Sequence, residues 1–203
     1  TGFIGRELIP ELLAGGHHLT VISRKSPQKL LANQGSKQLI HLKLDPAKQE
    51  SWQNKELLNA LEKSNVVINF AGEPIADKRW TSSHCKTIEV SRLNTTQGLI
   101  DAMNRIKKPP EVLINASAIG FYGTSQENVF NEESQSGNDF LASLCKNWES
   151  TALKKPSQTR LIIFRIGIVL SQDGGALGKM LPVFRSGFGG PIGNGQQWMS
   201  WIH

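Results

Sequence analysis

The chain opens on TGFIGRELIPELLAGGHHLTVISRK, residues 1–25, and this stretch decides the fold. Gly2 and Gly5 have the spacing of the last two glycines in a G-x-x-G-x-x-G turn, which brings main chain close to a pyrophosphate at a helix N-terminus. Apolar residues then recur at helical spacing up to Gly15-Gly16, and residues 19–23 are typical of a short buried strand. This order predicts part of a dinucleotide-binding unit, although an ordinary helix entry would also explain the two glycines.

The strand and the first glycine that should precede this turn are not in the sequence, and there is no initiator Met. We therefore expect a fragment that lacks the first strand of its sheet. A targeting peptide can then be neither seen nor excluded, and we expect a cytoplasmic or organelle-stroma location. Cys85 and Cys145 have neither disulfide nor metal-ligand spacing, which suits a reducing compartment and predicts no metal site.

The residues that follow the predicted strand concern the choice of cofactor. At this strand end an acidic side chain would grip the 2′-hydroxyl of an adenosine ribose. The sequence instead has Ser23, Arg24 and Lys25, and a guanidinium can bind a 2′-phosphate through paired, charge-assisted hydrogen bonds. The residues therefore favour NADP(H) over NAD(H), with a solvated basic turn as the alternative.

Length, composition and charge narrow the classes of function. At 203 residues and 38% hydrophobic content, the chain can bury one good core but is short for two. No apolar run approaches the ~18 residues that a membrane span needs. The net charge of +6 suggests anionic partners, yet the basic residues are spread out and form no long run, which argues against nucleic acid.

Strand and helix patterns alternate along the chain. We predict strands at 19–23, 38–42, 66–70, 111–116 and 160–169, and helices at about 52–61, 82–103 and 138–153. This alternation predicts an α/β fold, a Rossmann-like doubly wound parallel sheet with helices on both faces. We expect residues 1–170 to form the NADP-binding domain, and the glycine-rich residues 171–203 to begin a looped, substrate-side segment.

Eight strings occur in order over nearly the whole chain, namely TGFIG, SRK, NFAGEPIADKRW, SRLNTT, NASAIGFYG, FRIGIVL, DGGALGKMLPVF and GGPIGNGQQWMSWIH. Together they resemble the epimerase family proteins, an atypical branch of the extended short-chain dehydrogenase/reductases that is labelled NAD-dependent epimerase/dehydratase. The substrate of that group is not established, and its members are longer at both ends. Some relatives also carry the label of cell-division inhibitor.

The resemblance implies a set of cofactor contacts. Small residues after the strand at 66–70 would let the chain run beside the adenosine ribose, and the turn after the last strand would approach the nicotinamide amide. For Phe70 and Val169, simple core packing is an equal alternative. The implied contacts are Thr1, Gly2, Phe3, Ile4 and Gly5 in the phosphate turn, Ser23 and Arg24 at the 2′-phosphate, and Phe70, Ala71, Gly72, Arg92 and Val169.

The catalytic pattern of the superfamily is not kept. Ordinary members use a Tyr as general acid/base and a Lys four residues later, but the resemblance places Leu141 and Cys145 at those positions. Leucine cannot transfer a proton, and a thiol supplies no fixed positive charge. Arg92 replaces the Asn of the usual relay, so we expect it to contact the cofactor and to supply positive charge in place of the lysine.

Three residues remain as candidates for proton chemistry. Ser117 lies near the usual serine position, although a gap-free match would put Ala118 there. Tyr122, the single tyrosine of the chain, is the candidate acid, with packing of its turn as the alternative. Cys145 is a candidate reactive thiol or a buried inert cysteine.

The C-terminal strings concern the substrate. Where nucleotide-sugar epimerases have an Arg that grips the substrate diphosphate, this chain has Met199 beside Trp198. The loss of this phosphate clamp argues against a nucleotide sugar. Trp198, Met199 and Trp201 favour a flatter, more apolar small molecule, with packing of the lobe interface as the alternative. Two classes of function stay open. One is an NADP(H)-dependent oxidoreductase or epimerase-like enzyme, and the other is a non-catalytic NADP(H)-binding regulator, for example of cell division. The sequence leaves the oligomeric state unknown.

Overall fold

The computed structural model describes residues 2–25 and 38–203 of the chain. Two compact units are present. The first comprises Thr1–Asn115 and Trp148–Ile163, and the second comprises Ala116–Asn147 and Phe164–His203. Cofactor-binding and substrate-side roles for residues 1–170 and 171–203 remain predictions.

The described elements follow the predicted alternation closely. Among the described residues, helix α1 is followed by two strands, a 3₁₀ helix and a second helix, and strands then alternate with helices. The elements are α1 (Phe3–Ala14), β1 (Leu19–Ser23), β2 (Leu39–Lys43), a 3₁₀ helix (Gln49–Gln53), α2 (Lys55–Lys63), β3 (Val66–Asn69), α3 (Ser82–Arg105), β4 (Val112–Ala118), a 3₁₀ helix (Ile119–Tyr122), α4 (Phe140–Ala152), β5 (Arg160–Ile166), β6 (Ile168–Ser171), α5 (Gly175–Arg185) and β7 (Trp201–Ile202).

All the strand pairs whose register is defined are parallel, as the sequence predicts. Strand β1 pairs with β2 from Leu19↔Leu39 to Ser23↔Lys43. Strand β3 pairs with β4 in a sheet of order β3-β4-β5. Within the described residues β1 and β3 belong to different sheets and do not pair with each other. Parallel pairing directs the carboxyl ends of the two strands in each pair to the same side, where loops carry ligands in such folds.

Helices cover both faces of the β1-β2 sheet. On one face, Ile9 and Leu13 of α1 pack against Leu39. On the other face, Leu42 joins a cluster that includes Leu57 of α2 and residues of α3. Successive side chains of a strand point to opposite faces of the sheet, so residues 39 and 42 of β2 pack against the helices on opposite faces. The structure therefore confirms the prediction of an α/β fold with helices on both faces.

Close packing of α3 on the first 3₁₀ helix requires a glycine. A Cβ at Gly98 would lie 2.2 Å from Cδ1 and Nε1 of Trp52. The indole cannot retreat easily, because its Nε1–H donates to the Pro46 carbonyl at 2.8 Å and its side chain is buried. Gly98 thus sets the distance between these two elements.

Replacing Gly98 with Ala is expected to lower the free energy of unfolding by about 1–3 kcal/mol, because overpacking outweighs the better helix propensity of alanine. The measurement is urea unfolding followed by circular dichroism. Asn94→Ala, on an exposed position of the same helix, is the control and should change stability by less than about 0.5 kcal/mol. A Gly98→Ala variant at least as stable as the wild type would contradict this packing.

Three predicted boundaries need correction. The helix expected over 52–61 is interrupted at Asn54, whose Oδ1 accepts from the Leu57 N–H at 3.0 Å and starts α2 anew. The strand expected over 160–169 is divided at Gly167, where a Cβ would lie 2.8 Å from the Ser200 carbonyl oxygen. The loop expected after Leu170 contains helix α5, formed by Ala, Leu, Lys and Met residues that the surrounding glycines obscured.

The glycines between residues 187 and 195, which suggested a loop, follow α5 rather than replace it. Gly187, Gly193 and Gly195 have positive φ angles of 80°, 60° and 72°, which suit turns. Strand β6 then pairs in parallel with β7. In the part of the chain that the structure describes, none of the helices combines the length and the apolar character needed to cross a bilayer.

Candidate functional site

The predicted phosphate turn lies at the N-terminus of α1. Gly2 is extended and precedes the helix, and its carbonyl accepts the first helical hydrogen bond, from Arg6 N–H at 3.0 Å. Apart from the adjacent residues and the main chain of α1 itself, no described protein atom lies within 4 Å of a Cβ built at Gly2 or Gly5, so the space beside both glycines is open. Phe3 and Ile4 lie in the first helical turn, whose main-chain N–H groups favour anions. Thr1 lies outside the described residues.

Ser23 ends β1 and is fixed on both sides. Its hydroxyl donates to the Lys25 carbonyl at 2.7 Å and lies 3.0 Å from Nε2 of His41 on β2. Because a hydroxyl carries one proton, the second contact requires His41 to donate from Nε2. The main chain that leads into Arg24 is therefore anchored to the neighbouring strand.

Arg24 contacts an acidic residue that the sequence analysis did not single out. Its Nη2 lies 3.5 Å from Oε2 of Glu73, and Nζ of Lys78 lies 3.6 Å from Oε1 of the same carboxylate. The Arg24 and Lys78 side chains are each 66% exposed, whereas that of Glu73 is 15% exposed. Glu73 follows the predicted turn directly in the string NFAGEP. Its position in the sequence could therefore have identified it as a residue of this site.

The turn after β3 is held by a buried polar network. The Asn69 side-chain amide donates to Thr96 Oγ1 at 3.0 Å and to Asn115 Oδ1 at 2.7 Å. Trp148 Nε1–H donates to the same threonine oxygen at 2.8 Å. The side-chain oxygen Oδ1 of Asn69 in turn accepts from Ala71 N–H at 3.3 Å. The network ties β3 to β4, α3 and α4 and fixes the turn where the sequence predicts a ribose.

Arg92 and Ser91 anchor the next residues of that turn. Arg92 Nη1 donates to the Glu73 carbonyl at 3.0 Å, and Glu73 N–H donates to Ser91 Oγ at 2.9 Å. A Cβ at Gly72 would lie 3.0 Å from Arg92 Cζ, so glycine is needed for this approach. The guanidinium also lies over the ring of Trp148, 5.4 Å from its centroid. Arg92 thus supports the turn, and a cofactor contact for it stays a prediction, as for the half-buried Phe70.

Arg24, Glu73, Lys78 and Arg92 together form what we call the basic corner. Two cations flank the Glu73 carboxylate, and a third holds its main chain. Positive charge is therefore in excess over the single carboxylate. An anionic group of a ligand would find two exposed cations here, at the end of β1 and in the loop after β3.

The second unit contains the candidates for proton chemistry. Ser117 is buried near the end of β4, one residue before Ala118, which ends the strand. Tyr122 ends the following 3₁₀ helix and stacks on Phe130, with 5.0 Å between ring centroids and 15° between planes. Each residue therefore lies at or beyond the carboxyl end of a central strand, where the fold places ligands.

Tyr122 has a cationic neighbour that the sequence analysis missed. Arg165, on β5, donates from Nη1 to Tyr122 Oη at 3.0 Å and to the Glu132 carbonyl at 3.0 Å. Its guanidinium lies 3.6 Å from the centroid of the Phe121 ring. Arg165 is the one charged residue in the otherwise apolar strand string FRIGIVL, and this feature of the sequence could have identified it as a site residue. Because the phenol oxygen accepts from Arg165, its own proton remains available to another acceptor.

The positions that should carry the superfamily's Tyr and Lys pack the second unit. Leu141 lies on α4 next to Gly120, where an added Cβ would come within 3.3 Å of the leucine Cβ. Cys145, one turn further along α4, is buried at 4% exposure, which favours its interpretation as an inert cysteine. Val169 pairs with Ile202 in the β6-β7 sheet. Trp198 is exposed.

No group of three or more His, Cys, Asp or Glu side chains that could hold a metal ion occurs within residues 2–25 and 38–203.

Comparisons with known proteins agree with this architecture. The model of the NAD dependent epimerase/dehydratase family matches residues 1–203. The chain is 41% identical over 209 residues to the chloroplastic epimerase family protein SDR39U1 homolog of Arabidopsis thaliana, covering 100% of this chain and 56% of the relative. It therefore spans little more than half the length of that curated relative.

Two solved structures are similar over nearly all of this chain. The crystal structure of human epimerase family protein SDR39U1 with NADPH has a TM-score of 0.81 at 34% identity, covering 100% of this chain and 63% of that one. The nucleoside-diphosphate sugar epimerase of Corynebacterium glutamicum has a TM-score of 0.76 at 30% identity, covering 99% and 39% respectively. The match of the family model over residues 1–203, together with these similarities, shows that the chain belongs to the NAD dependent epimerase/dehydratase family and has its Rossmann-like, NAD(P)-binding fold.

Proposed function

We propose that the protein binds NADP(H) in preference to NAD(H). The observation that carries this proposal is the basic corner, where Arg24 and Lys78 expose guanidinium and ammonium groups around one carboxylate. A 2′-phosphate is the part of the cofactor that distinguishes NADP(H), and paired cations suit its charge. The NADPH in the human relative's structure supports the same choice.

Other residues of the first unit fit a dinucleotide. The open space beside Gly2 and Gly5 suits close approach of a pyrophosphate to the first turn of α1. The anchored turn at Ala71-Gly72 presents small residues where a ribose would lie. These features favour cofactor binding even without assuming a chemical reaction.

We further propose that the protein is an oxidoreductase or epimerase-like enzyme on a small molecule. The bound cofactor would supply hydride chemistry. Tyr122 would donate its proton to a substrate oxygen, and Arg165 would stabilise the negative charge left on the phenol oxygen. Ser117 is the candidate to polarise the same substrate oxygen. Arg165 here takes the role that the sequence analysis gave to Arg92.

The proposed substrate is an apolar carbonyl or hydroxyl compound rather than a nucleotide sugar. Met199 stands where the nucleotide-sugar enzymes have an Arg for the substrate diphosphate, and a thioether cannot bind that charge. Trp198, Met199 and Trp201 are exposed in the second unit and would offer apolar contacts. We expect neither nucleic acid nor membrane as a partner.

A metabolite screen tests the chemical part of this proposal. The protein is mixed with NADPH and pools of small carbonyl compounds, and the absorbance of the reduced nicotinamide is followed. We expect oxidation with at least one apolar carbonyl pool and none with nucleotide sugars. Turnover of a nucleotide sugar would contradict the substrate class. Tight NADPH binding without turnover in any pool would instead support the non-catalytic regulator that the missing Tyr and Lys allow.

A further inference from the structure

The Glu73 carboxylate already forms ion pairs with the two cations that would bind the proposed 2′-phosphate. It lies 3.5 Å from Arg24 and 3.6 Å from Lys78, distances longer than the ~2.8 Å of a strong charge-assisted hydrogen bond. Both cations are largely exposed, so water weakens each ion pair. Arg24 and Lys78 can therefore exchange this carboxylate for another anion at low cost.

Glu73 itself is held in place far more firmly than its partners. Its N–H donates to Ser91 and its carbonyl accepts from Arg92, and the preceding Gly72 lies against the same guanidinium. Its side chain is mostly buried. When an anion binds at this corner, the two exposed cations can turn, whereas the main chain that carries the carboxylate stays fixed. The negative charge of Glu73 therefore remains close to any bound phosphate.

We propose that Glu73 is a specificity-determining residue that limits the preference for NADP(H), and that Lys78 is the second cation of the 2′-phosphate site. This inference rests on the proposed function. The carboxylate competes with the 2′-phosphate for Arg24 and Lys78 and repels it electrostatically. NAD(H) has no phosphate at this position, so its affinity is independent of that competition.

The opposite role for Glu73 makes a different prediction. An acidic side chain near this strand end can accept a hydrogen bond from the 2′-hydroxyl of NAD(H). In that case, neutralising Glu73 would weaken NAD(H) rather than strengthen NADP(H). The geometry favours competition, because both carboxylate oxygens already face cations.

Isosteric neutralisation of Glu73 tests the inference. We expect Glu73→Gln to lower the Kd for NADPH by about tenfold and to change that for NADH by less than about twofold. Lys78→Ala should raise the Kd for NADPH by about threefold to tenfold, again without an effect on NADH. The matched control is Glu89→Gln, which makes the same charge change at a half-buried residue that is paired with Lys86 on α3, and it should leave both constants unchanged.

The outcomes separate this inference from the proposed function. If wild-type protein prefers NADPH and loses that preference in Arg24→Ala, but Glu73→Gln leaves the Kd for NADPH unchanged or weakens NADH, the role of Glu73 is wrong. If the wild type itself has equal affinity for the two cofactors, the proposed function fails first. Should Glu73→Gln not fold, as judged by circular dichroism, Lys78→Ala decides. An unchanged Kd for NADPH in Lys78→Ala would overturn the inference.

Discussion

Replacing Tyr122 with Phe is expected to lower turnover by about 10²–10⁴-fold, the range that a general acid contributes. The substitution removes the phenol oxygen that accepts from Arg165, while the ring keeps its stack with Phe130 and its edge contact with Phe121. The fold of the second unit should therefore survive. We expect kcat to fall, with the Kd for NADPH changed by less than about twofold.

The measurement is steady-state kinetics on a substrate found by the screen. Phe130→Leu is the matched control, because it removes the stacking partner of Tyr122 and leaves the hydroxyl and its Arg165 contact in place. Ser117→Ala should also lower kcat by ~10²-fold or more if the serine polarises the substrate. Wild-type turnover in both hydroxyl variants would assign the acid to a water or to Cys145 and contradict the assignment made here.

Much of the fold was predictable because it follows from local patterns. The apolar run at 19–23 coincides with β1, and the long helix predicted from Ser82 extends only two residues further, to Arg105. Errors arose where one side chain or one close contact decides a boundary. Asn54 caps a new helix, and the absence of a side chain at Gly167 allows the Ser200 carbonyl to approach closely. The periodicity of hydrophobic residues reveals neither effect.

The candidate site was predictable only in part, for a related reason. Arg24 and Gly72 follow strands, so their positions at strand ends come from the α/β pattern. The partners of these residues come from distant parts of the chain. Glu73 reaches Arg24, and Arg165 reaches Tyr122, only after the sheets have formed. The sequence predicts Arg92 as the positive charge beside the candidate acid, and that role stays a prediction. In the structure Arg92 holds the turn after β3, and Arg165 contacts Tyr122.

Arg24→Ala carries the second large expected effect. Loss of the guanidinium should raise the Kd for NADPH by about 10–100-fold, since hydrogen bonds to charged groups contribute about 1.5–3 kcal/mol. The Arg24 side chain is exposed and belongs to no core cluster of the described residues, so folding should be unaffected. Arg24→Lys keeps the charge but loses the planar fork, and should fall between wild type and alanine.

The most direct test of the central claim is the ratio of the Kd for NADH to that for NADPH, measured by titration in wild type and in Arg24→Ala. We predict a ratio of about ten or more in the wild type, consistent with one charge-assisted pair, and a ratio near one in the variant. The change should come from weaker NADPH binding, with NADH affinity altered by less than about twofold. A wild-type ratio near one, or an Arg24→Ala variant that keeps its affinity for NADPH, would contradict the account.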